Sequence, residues 1–302
     1  MKWVYIGLIV IINTIIAYDQ PNSLNYGYTN ILEGGPIHPS SGWYIHQYFA
    51  FYNAPYFLGN NGALLGNKKS PVFNIMWGIT QFLYQTKKKH LLNAKIGLYL
   101  SIFYDLYSKI EKNNLGLTSN TIGFGDPYAC IYLQWDPIMI HNRPFFVHRF
   151  ELASSFPAGK YSSRFFVNPG NGFYYINPNW SATLYLLSNW AASCNLNYVW
   201  SAKNKHTGIQ AGQAILINYS MEAELFKNWW FAVNGYFLQQ YTDSKINGFK
   251  VPNRRERVFS IGPGVLYSLN DKVNFFGYVY FESKSRNHNK GINAIISGII
   301  NF

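Results

Sequence analysis

From Ser41 to its last residue the chain repeats one pattern, in which apolar and polar residues alternate over segments of about ten to fifteen residues. A strand points successive side chains to opposite faces, so alternation on this scale predicts strands with one apolar and one polar face. The segments are Trp43–Tyr52, Val72–Gln85, Leu91–Leu106, Tyr128–Asp136, Phe145–Phe156 and Tyr175–Leu187. Then come Ala191–Ala202, Ile209–Leu225, Trp229–Thr242, Val258–Leu269, Lys272–Glu282 and Gly291–Phe302. No long helical period interrupts them. The last segment, "GINAIISGIINF", ends on a phenylalanine with no polar tail. Left as an edge in water, such a strand would template aggregation.

The connections separate a barrel from a sandwich. "SNW", "KN" and "ND" are tight, whereas "AGKYSSRFFVNPGNG" and "DSKINGFKVPNRRER" are long, and the two kinds alternate. Short turns at one end and long loops at the other are the pattern of transmembrane β-barrels. Charge obeys the same rule. Lys95, Asp105, Asp126, Arg149, Glu151, Glu222, Glu224 and Glu282 all fall on the more polar phase. A Lys or Arg facing lipid at midplane would cost about 2–4 kcal/mol. Charged residues are 13% of the chain and aromatics 19%, against about 25% charged in ordinary soluble domains. Trp43, Trp190, Trp200, Trp229, Trp230, Tyr267, Phe281 and Phe302 fall near segment ends, where interfacial girdles form. The expectation is an all-β, antiparallel, up-and-down transmembrane barrel of about 12 strands, with residues 41–302 as one domain.

Residues 1–17 read as a signal peptide, with Lys2 before a short apolar run and Ala17 as the cleavage residue. This predicts an exported protein. Residues 18–40 show no alternation; they are either a flexible lead-in or a plug entering the lumen. Cys130 and Cys194 fall on opposite faces of separated strands, which predicts free thiols.

More specific stretches follow in order: "GFGDPYACIYLQW", "FELASSFPAGKYSS", "NWSATLYLL", "AGQAILINYSMEAEL", "FAVNGYFLQQYTDSKING" and "RERVFSIGPGVLYSL". This series, with the terminal phenylalanine, resembles the outer-membrane family named for the MetA pathway of phenol degradation. The resemblance is good over Gly123 to Phe302 and loose before it. It implies a porin-like Gram-negative outer-membrane barrel that moves small molecules, aromatic or hydrophobic ones among them. "AGQAILINY" departs from it, with Ala214 and Leu216 on the inward phase in place of acidic or histidine residues.

The inward charges, Lys95, Asp105, Asp126, Arg149, Glu151, Glu222, Glu224 and Glu282, are the candidate pore-lining or gating residues. The bland reading is an ion-pair network filling a narrow lumen, and it stays open. The basic outer loops suggest lipopolysaccharide phosphate as a partner, with Arg254, Arg255 and Arg257 of "NRRER" as contacts. No nucleic-acid-binding module accompanies this charge. Phe302 is the candidate signal for the barrel assembly machinery. No cofactor, metal spacing or catalytic residue is expected: His148 and Ser154 share a phase but lie about 20 Å apart along a strand. A sealed structural or surface-interaction barrel is the alternative to a channel, and a lipid-modifying enzyme the more distant one.

Overall fold

The computed structural model describes residues 19–35, 41–65, 71–111, 115–120 and 122–302. The signal-like stretch, Tyr18 and residues 36–40 lie outside the described residues. Twelve long strands form the barrel: β1 (Gly42–Leu58), β2 (Val72–Lys89), β3 (Lys95–Glu111), β4 (Tyr128–Gln134), β5 (Arg143–Ser155) and β6 (Tyr175–Leu187). They continue as β7 (Trp190–Ser201), β8 (Ala214–Phe226), β9 (Trp229–Gln240), β10 (Arg257–Asn270), β11 (Val273–Arg286) and β12 (His288–Asn301). Each pairs antiparallel with its sequence neighbours, and β1 closes the ring on β12 in a register that sets Tyr44 opposite Asn301 and Phe51 opposite Ala294. Closure removes the edges, which answers the problem set by the apolar terminal strand. Cys130 and Cys194 are free thiols.

Each predicted segment corresponds to one strand, with shifted ends. Leu91–Asn93 form a short 3-10 turn, so β3 starts at Lys95. Ile209–Gln210 separate from β8 and pair with Lys245–Ile246, which also pair with Phe249–Lys250 in a small sheet among the loops. The chain passes close to the Thr242 carbonyl between the two stretches, where a Cβ at Gly212 would lie 2.1 Å from that oxygen and only glycine fits. At the loop end β11 and β12 pair with each other as far as Phe281 and Ile292, their tips pair with β10 and β1 instead, and Asn287, at φ 47°, separates the two strands.

The outer wall is apolar. Ile45, Phe51, Phe82, Leu98, Leu100, Phe150, Leu152, Leu196, Met221, Val233, Ile261, Phe281 and Ile296 are all exposed. A belt this extensive on a soluble protein would aggregate; a bilayer gives it a solvent of matching polarity. At the short-turn end, Trp43 packs on Tyr84 with ring centroids 5.0 Å apart, and Trp229 stacks on Tyr267 at 4.4 Å. Trp230 leaves this girdle. It is one residue out of phase with Trp229, and the alternation buries it inside the barrel.

Candidate functional site

Residues 19–35 lie inside the barrel. They run from the loop end, where Gln20 meets Glu256 and Gly212, to the turn-end half of the lumen, where Gly34 meets Thr183. The segment has no secondary structure of its own, so its backbone polar groups need partners from the wall. The inward phases of β6 to β11 supply them. Ser220 donates to the Asn30 carbonyl at 2.9 Å, and the Leu32 N–H donates to Glu222 at 3.2 Å. Tyr280 donates to the Gly27 carbonyl at 2.8 Å, while the Asn30 amide donates to the Tyr280 hydroxyl at 2.9 Å. Two glycines permit this close packing. Gly27 has φ +83°, and a Cβ there would lie 2.6 Å from the Tyr280 ring. A Cβ on Gly34 would lie 2.4 Å from the Val147 carbonyl oxygen.

The loop end of the segment is clasped by charge. Arg254 is only 2% exposed and grips Asp19 through Nη2 at 2.6 Å and Nε at 3.1 Å. Glu256 accepts the N–H of Gln20 at 2.7 Å and that of Asp19 as well. Burial pushes the Glu256 carboxyl well above its usual range, and the neighbouring Asp19 carboxylate adds to the effect.

The segment divides the lumen. Toward the loops lies a chamber of about 450 Å³, bordered by Asp19, Tyr52, Trp77, Asp105, Glu282 and Asn293 among others. Toward the turns lies one of about 920 Å³, bordered by Glu33, Tyr48, Tyr99, Arg149, Glu151 and Trp230 among others. Ser23 and Phe103 border both. Most of the segment's hydrogen bonds go to β6–β11, which carry the inward Asn and Ser residues. The wall opposite carries tyrosines: Tyr28 of the segment packs edge-on against Tyr48 at 5.8 Å and accepts a hydrogen bond from Trp77.

The sequence-derived charges divide into several environments. Asp105 and Glu282 border the outer chamber, and Arg149, Glu151 and Glu224 the inner one. Arg149 pairs with Glu151 at 2.5 Å and lies 3.7 Å from Glu33 of the inserted segment. Glu222 is buried against the segment, bonded to Leu32 and Ser193, so it anchors that segment and borders neither chamber. Two other expected pore-lining residues also lie elsewhere. Lys95 sits at the turn end, paired with Asp136 at 3.2 Å. Asp126 is a loop clasp, accepting the N–H groups of Gly159 at 2.9 Å and Asn171 at 2.7 Å. Burial raises its carboxyl, and these backbone donors partly offset the rise. Arg254 cannot face an external lipid, because its guanidinium is buried on Asp19. Arg255 is exposed and pairs with Asp243 at 2.7 Å, and Arg257 donates to the Lys284 carbonyl at 3.1 Å. Phe302 is exposed at the turn end, its N–H on the Trp43 carbonyl at 2.9 Å. Sequence reasoning missed Asp19, Asn30, Glu33 and Glu256. The missing alternation before Ser41 was the available signal.

These features define a class: a transmembrane β-barrel whose lumen is divided by its own N-terminal segment. The chain belongs to the family described as "Putative MetA-pathway of phenol degradation", which it matches over residues 59–297. Its fold is that of the COG4313 outer membrane channel from Pseudomonas putida F1 (13% identity, 91% of this chain and 99% of that one, TM-score 0.76). More distant are the toluene transporter TbuX from Ralstonia pickettii (8% identity, 87% and 90% covered, TM-score 0.45) and the KdgM porin (6%, 86% and 99%, 0.44). No functionally curated protein matches the chain by sequence.

Proposed function

We propose that this protein conducts small molecules, aromatic or hydrophobic ones among them, across a Gram-negative outer membrane, with residues 19–35 as a removable barrier. The observation that carries this reading is the division of one lumen into two chambers by a segment without secondary structure. Among the described residues the segment is held by hydrogen bonds that involve side chains and by two ion pairs, Arg254 to Asp19 and Arg149 to Glu33, not by a strand ladder. Such contacts contribute about 0.5–1.5 kcal/mol each, and somewhat more where charged, so they can be released without unfolding the barrel. The likeness in fold to an outer membrane channel supports the reading. The long loops then face outward, and Arg255 and Arg257 meet lipopolysaccharide phosphate. Phe302 presents the C-terminal strand to the assembly machinery.

Deleting residues 19–35 and recording in planar bilayers tests the function. The deleted protein should conduct in steps several-fold larger than the intact one. A deleted barrel that stays heat-modifiable on gels yet conducts nothing would sink the reading and leave a sealed structural barrel.

A further inference from the structure

The outer chamber carries an excess of acceptors over donors. Asp105 is 7% exposed, and its Oδ1 is buried without a hydrogen-bond partner among the described residues. Asn293 is in the same condition: its amide nitrogen donates to the Tyr26 carbonyl at 3.3 Å, and its buried Oδ1 has no hydrogen-bond partner among the described residues. Glu282 is buried too, with its carboxylate on neutral donors, Tyr52 and Tyr236 at 2.7 Å and the Gly291 N–H at 2.9 Å. Neither Asp105 nor Glu282 makes an ion pair among the described residues. Of the nearby cations, Arg254 is engaged on Asp19, and the Lys160 ammonium, which donates to the Ile122 carbonyl at 3.0 Å, also acts on Asp105 as a nearby positive charge without forming an ion pair with it among the described residues. Arg164 lies exposed at the mouth.

Two buried carboxylates therefore share one chamber with orphaned acceptor oxygens. Leaving such groups unmatched is costly. Aromatic surface lies beside them. Trp77 is the direct cross-strand partner of Asp105, and Tyr52 and Phe103 border the same space. Tryptophan offers the strongest cation–π face. A ligand that satisfies all of this carries several N–H donors, a positive charge and an apolar body.

Resting on the channel reading, we propose that the outer chamber is a recognition site for small organic ammonium ions on an aromatic or apolar frame, with Asp105 as the counter-ion. The exposed loop cations do not forbid their approach, because charges in water are screened over about 8 Å at physiological ionic strength.

The test compares three probes of one shape, benzylammonium, benzyl alcohol and benzoate, titrated calorimetrically into full-length protein in detergent. Benzylammonium should bind at least tenfold more tightly than either of the others, and Asp105→Asn should remove that advantage while leaving benzyl alcohol unchanged. Equal binding of benzyl alcohol and benzylammonium to the wild type would overturn the proposal without any variant, as would an Asp105→Asn protein that keeps the preference. Because binding in detergent needs no transport, a silent segment deletion in bilayers would refute conduction and leave this site standing. A conducting deletion with no ammonium preference in the intact protein would do the reverse.

Discussion

Replacing Arg254 with methionine should loosen the inserted segment more than any other single change in the clasp. The guanidinium is buried and makes two hydrogen bonds, at 2.6 and 3.1 Å, to the Asp19 carboxylate. With Arg254 gone, the buried Asp19 carboxylate sits beside the Glu256 carboxyl with no cation to match it. Removing one partner of a buried pair costs about 3–5 kcal/mol. That raises the undocked population by about two to three and a half powers of ten. A thiol at Ser23, buried against Tyr175 and Asn171, reads this population. In a background lacking Cys130 and Cys194, the labelling rate of Ser23→Cys by a membrane-impermeant maleimide should rise by that factor. Adding Asp19→Asn should slow labelling again, because a neutral pair leaves no stranded charge. A rate that changes less than threefold in a heat-modifiable barrel would refute the clasp. A double variant as fast as the single one would refute its electrostatic basis.

Four further outcomes are expected. The docked segment holds Glu256 with a raised affinity for its proton, so docking takes up a proton. It is strongest at low pH and weakens as pH rises above the usual carboxylate range; the open fraction in bilayers should climb with pH, and Glu256→Gln should flatten the climb. Gly27→Ala sets a methyl against the Tyr280 ring at a positive φ, at a cost of about 1–3 kcal/mol, and should speed Ser23→Cys labelling at least several-fold. Neutralising Arg255 and Arg257 should lower heat stability in lipopolysaccharide, whereas unchanged melting would remove them as lipid contacts. Deleting Phe302 should reduce the heat-modifiable barrel in outer-membrane fractions, and normal levels would dismiss it as an assembly signal.

The barrel was legible because its physics is local and repeated. A strand with lipid on one side and lumen on the other must alternate, so Tyr175–Leu187 was found to the residue. Ends blurred where the cause was not periodic. Ile209–Gln210 leave β8 to pair with Lys245–Ile246, and nothing in the alternation of that stretch signals it. The charges told less than their phase promised. Being inward was correct for Asp105, Glu151, Glu222 and Glu282, but the same phase leads to different jobs, because a lumen-facing side chain meets whatever fills the lumen. Glu222 meets the backbone of Leu32, whereas Asp105 is buried at the border of the outer chamber. Arg254 was misassigned for the same reason. A loop cation reads as solvated until a distant carboxylate, 235 residues earlier in the chain, takes it inside.

The inserted segment explains why a barrel so polar inside keeps so few satisfied charges facing open space. Seventeen residues without secondary structure carry their own unpaired backbone groups into the lumen, and the Asn and Ser side chains of β6–β9 are matched to that demand. The tyrosine wall of β1–β5 is not. It leaves Ser23 and Phe103 at the border of both chambers. The polar half of the barrel therefore carries most of the segment's hydrogen bonds, and the aromatic half meets it through fewer contacts, Trp77 on Tyr28, Gln134 on Gly34 and Arg149 on Glu33.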